Sequence, residues 1–283
     1  MKASESTAPA HWPVGLGLAA IHLGALAAFW PGFFSWGALA AMAVLWYATL
    51  AIGVSLCYHR MLTHRSFRVP KALEYGMAVL GTLALQGGPI QWISTHRIHH
   101  AHTDKEGDPH DARRGMLWSH FEWLYRPNEA RPSMAEQERY APDLWSQPFY
   151  KMLDKMHVPL QIALGVALFA LGGLPWVVWG IFVRLTLVYH ITWFVNSAAH
   201  KYGYQTYATG DKSTNCWWVG LLTFGEGWHN NHHAFQFSAR HGLRWYEFDL
   251  SWITIRLLRM LRLAKDVKLP TPEMLQRLSK SPR

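Results

Sequence analysis

Cysteine is scarce. The 283-residue chain holds two, Cys57 and Cys216, and no CxxC pair. That spacing excludes a disulfide framework and a thiolate metal site. Acidic residues are outnumbered, 18 against 27 lysines and arginines, so the formal net charge is +9. A basic balance suits nucleic acid or an anionic membrane surface. No nucleic-acid-binding motif accompanies it, so no nucleic-acid partner is expected. The N-terminus lacks a basic region followed by a short apolar stretch and a cleavage site, and no cleavable signal peptide is expected. Also missing are an HPGG-type haem motif, a flavin or nicotinamide fingerprint, and iron–sulfur cysteines. Half of the residues are nevertheless hydrophobic, while the mean hydropathy is only −0.03. Apolar segments must therefore alternate with polar ones.

Four apolar segments approach the roughly 20 residues that span a bilayer. They cover residues 14–30, 34–57, 158–174 and 176–199. Tight uncharged turns, Pro31-Gly32 and Gly172-Gly173-Leu174-Pro175, pair them into two hairpins. The opposite ends carry Arg60, Arg65, Arg68 and Lys71, then Lys151, Lys155 and Lys201. By the positive-inside rule both hairpins open toward the cytoplasm. Residues 75–85 are apolar but only half a span long, which predicts a re-entrant or interfacial helix. Residues 104–150 are polar and read as a cytoplasmic cap. In residues 252–263, Arg256, Arg259 and Arg262 recur at three-residue steps among Leu and Met. That pattern suits an amphipathic helix at an anionic interface, or an ordinary solvated helix face. The expected fold is all-α: one integral-membrane domain over 1–283, with about four transmembrane helices. Within it, 14–57 form the first hairpin, 58–155 a cytoplasmic or interfacial region, 156–200 the second hairpin and 201–283 the rest of the cap.

The 17 histidines are not scattered. His59 and His64 follow the second apolar segment. His96, His99 and His100 form one HxxHH cluster, and His229, His232 and His233 another. Positions i, i+3 and i+4 share a helix face. Imidazole suits iron, zinc, copper or nickel. Solvated surface histidines would not explain why the clusters collect at the ends of membrane segments. Eight imidazoles are too many for one tetrahedral zinc. They suit two ions that keep positions open for dioxygen. No ExxH pair lies on the membrane segments, which argues against a carboxylate-bridged di-iron bundle.

These boxes and their surroundings resemble the membrane fatty acyl desaturases of the stearoyl-CoA desaturase type. The resemblance runs over residues 53–268. It rests on Tyr58-His59-Arg60 with His64-Arg65-Ser66-Phe67, and on Trp92 with His96-Arg97 and His99-His100. It rests further on Asp108-Pro109-His110 with Arg113-Arg114-Gly115, on Ser119-His120, on residues 192–200 (TWFVNSAAH) and on residues 225–233 (GEGWHNNHH). It implies two iron ions in the cap. The ligands carried over are His59, His64, His96, His99, His100, His200, His229, His232 and His233, with Asn196 reaching one iron through a water. Asn196 and His200 are four apart and so share a helical face. Glu226 is either a carboxylate that orients a ligand imidazole or a turn residue between two glycines. His11, His22, His102, His120, His157, His190 and His241 are left as bystanders. His22 and His190 are read as helix-packing groups, and His110 as near the site or a headgroup.

The implied reaction is oxygen-dependent removal of hydrogen from two adjacent carbons of a saturated acyl chain, giving a cis double bond, with delta-9 as the implied position. The carrier is coenzyme A or a membrane lipid. Electrons must come from a separate ferredoxin-like or cytochrome-type protein on the cytoplasmic face. The short chain without a fused cytochrome points to a bacterial inner membrane. Tyr47, Ala51, Ser55 and His59 recur every four residues, a stripe of about 18 Å on an α-helix. Tyr47 and Ala51 are candidates to close an acyl channel, or they simply pack. Thr192 and Trp193 match family positions that bend the chain. Arg113 and Arg114 are candidates for a carrier phosphate, or ordinary solvated cations. Arg184 should face other helices. A membrane di-iron hydroxylase would share the boxes but insert oxygen. A metal transporter would place its site near the midplane on broken helices.

Overall fold

The computed structural model describes residues 9–279, and among these every regular element is helical. Trp12–Ala25 (α1) and Trp36–Trp46 (α2) are joined through 3-10 turns at Leu26–Phe29 and Pro31–Phe33. From α2 the chain runs into a π-helix, Tyr47–Thr63. Lys71–Thr82 (α3) and Pro89–His102 (α4) follow. Short helices come next: Met116–His120 (α5), Met134–Tyr140 (α6) and Pro142–Trp145 (α7). Two long ones follow, Pro148–Val177 (α8) and Arg184–Ser197 (α9), separated by a π-wound turn at Val178–Val183. Trp217–Leu222 (α10), His229–Ala234 (α11), Leu250–Met260 (α12) and Pro272–Leu278 (α13) close the chain.

Three helical stretches are long and apolar enough to cross a membrane: Trp12–Phe29, Trp36–Thr63 and Pro148–His200. The third has 53 residues and would rise roughly 80 Å if unbroken, far beyond a hydrocarbon core of about 30 Å. It is interrupted where the sequence places a turn. Gly172 (φ −151°) and Gly173 (φ +67°) leave helical geometry there. Only glycine takes the second of these conformations without strain.

The chain divides into two compact units. The first takes the chain up to Trp46 together with Leu85–His190; the second takes Tyr47–Ala84 and everything from Ile191 on. Charge divides with them. The first unit has 11 basic and 11 acidic residues, so the whole excess of nine positive charges lies in the second.

In the first unit, α1 and α2 pack on the Val178–Val183 turn. Gly24 lies against Phe182, and the Trp179 indole donates to the Phe33 carbonyl at 2.8 Å. Arg184 is fully buried and donates to the Gly180 carbonyl at 2.7 Å, as an arginine among helices should. α4 is fixed at its start by Asp154, which accepts from the Ile90 N–H at 3.0 Å. Further along α4, Arg97 forms a paired contact with Asp143 at 2.8 and 3.1 Å.

In the second unit, α3 has 12 residues and ends at Thr82, too short to cross a membrane. It lies on the π-helix through a glycine pair: a Cβ on Gly53 would come within 2.3 Å of the Gly81 nitrogen. Beside that contact Tyr58 and Thr82 share a 2.8 Å hydrogen bond. α12 starts at Asp249, whose carboxylate accepts from the Trp252 N–H. It stops at Met260, and Arg262 sits beyond it with φ +60°. The expected basic stripe therefore keeps Arg256 and Arg259 on the helix, while Arg262 belongs to the turn that follows.

Candidate metal centre

The second unit gathers six of the nine expected imidazoles into two groups of three. The first forms around the end of the π-helix. On an α-helix, residues five apart point about 140° away from each other. In i→i+5 winding they stand one turn apart, and the His64 N–H meets the His59 carbonyl at 3.2 Å. Their rings therefore lie 4.9 Å apart. His232 of α11 completes the group, 4.5 Å from His59 and 4.6 Å from His64. The Nε2 atoms of His59 and His232 are 3.1 Å apart.

The second group is His200, His229 and His233. His200 ends the 3-10 turn Ala198–His200 that tightens the chain after α9. Its Nε2 is 3.0 Å from that of His229, whose ring lies 4.3 Å from His233. The neighbours His232 and His233 are set at 85°, so each faces a different group.

The first unit supplies the remaining three on α4. His96 and His100 bring their Nε2 atoms to 3.0 Å. His99 turns toward Asp108, which stands 2.9 Å from its Nδ1. His110 lies beside it, with rings 4.2 Å apart. That agrees with the exceptional place given to His110 in the sequence.

Each box carries one carboxylate behind one imidazole. Glu226 Oε2 is 2.7 Å from His59 Nδ1, Asp108 Oδ1 is 2.9 Å from His99 Nδ1, and Asp211 Oδ2 is 2.9 Å from His233 Nδ1. A proton held on Nδ1 leaves the Nε2 lone pair for a metal. Burial alone would push the Glu226 carboxyl up, but Arg60 and His59 hold it well below the usual carboxylate range. Burial acts likewise on Asp108 and Asp211, and their histidine partners outweigh it in the same direction. All three stay ionised against their imidazoles. Of the two readings of Glu226, the geometry selects the orienting carboxylate. A donor set of imidazole nitrogens with ionised carboxylates behind them fits a divalent transition metal.

The other expected residues fall in three places. Asn196 is half-buried on the last turn of α9, one residue before the helix ends. Thr192 and the buried Trp193 lie on the same helix. Tyr47 and Ala51 start the π-helix. The Tyr47 hydroxyl is 3.2 Å from Thr254 Oγ1, its ring lies 5.5 Å from Phe224, and Ala51 is buried. Ser55 is committed to Glu226 and Ser251. In π-winding residues four apart no longer stand one turn apart, so Tyr47, Ala51, Ser55 and His59 do not keep the single stripe expected of an α-helix. Arg113 is clamped by Asp111, whose Oδ2 is 2.8 Å from Nη2, and Arg114 stacks over Trp118.

One expectation about bystander histidines changes. His241 is buried beside Glu226, His59 and His232. His22 and His190 meet between helices of the first unit, the kind of contact expected of helix-packing groups, and His120 joins them, with nitrogen contacts of 3.0 Å on either side of His190. No local pattern in the sequence marks either arrangement: His59 lies 182 residues from His241, and His22 and His120 lie 168 and 70 residues from His190.

The family model for fatty acid desaturases matches residues 41–256. Over 270 residues the chain is 53% identical to the sn-1 stearoyl-lipid 9-desaturase of Anabaena variabilis, covering 95% of this chain and 98% of that one. It is 53% identical over 259 residues to the protein of the same description from Synechocystis sp., covering 92% of this chain and 80% of that one. A sn-2 palmitoyl-lipid 9-desaturase from Nostoc sp. is 49% identical over 250 residues, 88% of each chain.

Proposed function

The chain belongs to the fatty acid desaturase family, and we propose that it sets a cis double bond at delta-9 of a saturated acyl chain while that chain is esterified in a membrane lipid. Oxygen-dependent acyl desaturation follows from the family. Position and carrier rest on one observation, the 53% identity to a stearoyl-lipid 9-desaturase that extends over 98% of that protein.

The ligand set is the nine histidines His59, His64, His96, His99, His100, His200, His229, His232 and His233, holding two iron ions, with Asn196 acting through a water. Two three-imidazole groups with a carboxylate behind each support two ions rather than one. Bound ferrous iron supplies dioxygen activation and hydrogen removal when reduced. The chain's own share is orientation. Glu226, Asp108 and Asp211 hold protons on Nδ1 and aim Nε2. Thr192 and Trp193 bend the acyl chain at the reacting carbons, and Tyr47 and Ala51 close its methyl end. Arg114, with Arg113, faces the lipid headgroup. Excluding water from the acyl path protects the reaction.

Dioxygen, two electrons, two protons and two hydrogens from adjacent carbons balance to an alkene and two waters. The electrons come from a separate ferredoxin-like or cytochrome-type protein. The protein is one membrane domain with four spans, 14–30, 34–57, 158–174 and 176–199, opening to the cytoplasm of a bacterial inner membrane. The glycine break at Gly172-Gly173 and the cationic segment ends support that arrangement.

The test is expression in a host unable to make unsaturated fats, followed by gas chromatography of each lipid class with positional analysis. A delta-9 monoene in intact lipid is expected. A saturated profile in air with iron and reductant supplied, or a hydroxy acid, overturns the reading.

A further inference from the structure

His241 lies outside every histidine box, yet it is 1% exposed and sits in the second unit against His59 and His232. Its Nδ1 stands 3.0 Å from Glu226 Oε2, the oxygen that His59 Nδ1 meets at 2.7 Å. That oxygen makes a hydrogen bond with His59, while the similarly close His241 nitrogen does not meet hydrogen-bond geometry. Neither ring nitrogen of His241 has a hydrogen-bond partner of good geometry. Leaving such buried groups without hydrogen bonds is costly.

The backbone nevertheless holds His241 firmly in this place. Its N–H donates to Asp249 Oδ2 at 2.8 Å, and its carbonyl accepts from Asn231 Nδ2 at 2.8 Å. Asn231 belongs to the third box. Asp249 is tied to Glu226 through the buried Arg60, which reaches both at 3.0 Å. The imidazole is thus locked against the metal-binding rings by the frame that supports them. Its ring lies 4.5 Å from His232 at a 35° tilt, a near-stacked contact.

We propose that His241 is a positioning residue of the metal centre. It stacks on His232 and shares the Glu226 carboxylate with His59. By touching both rings from behind, it sets the angle at which their Nε2 atoms, 3.1 Å apart, converge on one ion. The inference rests on the desaturase reading only for the identity of that ion. The metal readouts below are independent of product formation, so failure of this role and failure of that reading are distinguishable.

Three substitutions in the full-length protein separate the contributions. His241→Phe keeps the stacked ring and loses the Glu226 contact. His241→Gln keeps a polar group near Glu226 and loses the ring. His241→Ala loses both. The readouts are iron per chain, the rate of iron loss to a chelator, and the Mössbauer spectrum. Thermal melting of the metal-free variants checks that they fold. For Ala the expected result is iron loss accelerated about 10–100-fold with a changed spectrum at one of two iron sites. Phe and Gln should each restore part of the retention. Should Ala fail to fold, Phe and Gln against the parent chain carry the comparison, with intermediate loss expected from both. Iron loss within two-fold of the parent and an unchanged spectrum in every folded variant would make His241 mere packing. Complete loss of one iron in Phe and Gln alike would make it a direct ligand. Either outcome overturns the positioning role.

Discussion

Asp211 stands 2.9 Å from Nδ1 of His233, and the same carboxylate accepts from the Ser213 N–H at 2.9 Å and from the Thr209 hydroxyl at 2.8 Å. The imidazole is therefore aimed by a group that its own loop holds rigid. Asp211→Asn keeps the shape and removes the charge. Iron affinity should fall about 10–100-fold while the fold persists. A chelator competition on the purified protein reads this, and unchanged affinity would remove Asp211 from the metal centre.

Gly53 meets Gly81 backbone to backbone. Gly53→Ala puts a methyl where main-chain atoms already are, and neither helix can yield by rotating a side chain. The cost should reach or exceed the usual 1–3 kcal/mol of an overpacked core. Its measure is the melting temperature in detergent, with Gly76→Ala as the control, because nothing lies within 4 Å of the Cβ position at Gly76.

Tyr47→Ala opens the start of the π-helix by removing the ring that packs on Phe224. Products should shift toward longer acyl chains. Chain-length distributions by gas chromatography decide it, and an unaltered distribution leaves Tyr47 as a packing residue.

Iron removal should abolish activity, and ferrous iron should restore it. Zinc should fill imidazole sites without restoring turnover, because it has no redox chemistry. Activity recovered with zinc alone would contradict a redox centre.

The excess of nine positive charges lies in the unit that holds six of the nine histidines. An acidic electron donor should be steered toward a unit of that net charge. Turnover supported by that donor should then fall steeply between low salt and about 0.15 M, where the screening length is about 8 Å. Turnover driven by a small chemical reductant serves as the reference. Equal salt dependence in both would exclude electrostatic docking.

The pairs His96 with His100 and His229 with His233 were legible because residues four apart share an α-helix face; that His99 and His232 turn to other partners, and that His59 meets His64, was not. Glu226 was half legible, as a carboxylate three residues from His229 whose true partner is His59. Asp211 and His241 were not legible. Asp211 precedes its histidine by 22 residues, and His241 follows Glu226 by 15 with α11 between them, so only the folded chain brings them together. The turn at Gly172-Gly173 could be read because two glycines beside a proline end a helix whatever surrounds them. The winding of Tyr47–Thr63 could not, because nothing in its composition separates π from α. The extent of α12 was read two or three residues late at each end, where capping by Asp249 rather than periodicity sets the start.

The π-helix ties box spacing to backbone pitch. His96 and His100, or His229 and His233, sit one α-turn apart with three residues between them; His59 and His64 sit one π-turn apart with four. The two spacings are the same geometric solution written in different windings. Deleting one residue between His59 and His64 is therefore tolerable only if the helix simultaneously reverts to ordinary pitch. Restoring ordinary pitch without that deletion swings His64 off its partners. Lineages that alter one trait must carry the other, so the length of the first box should report the local winding in any relative.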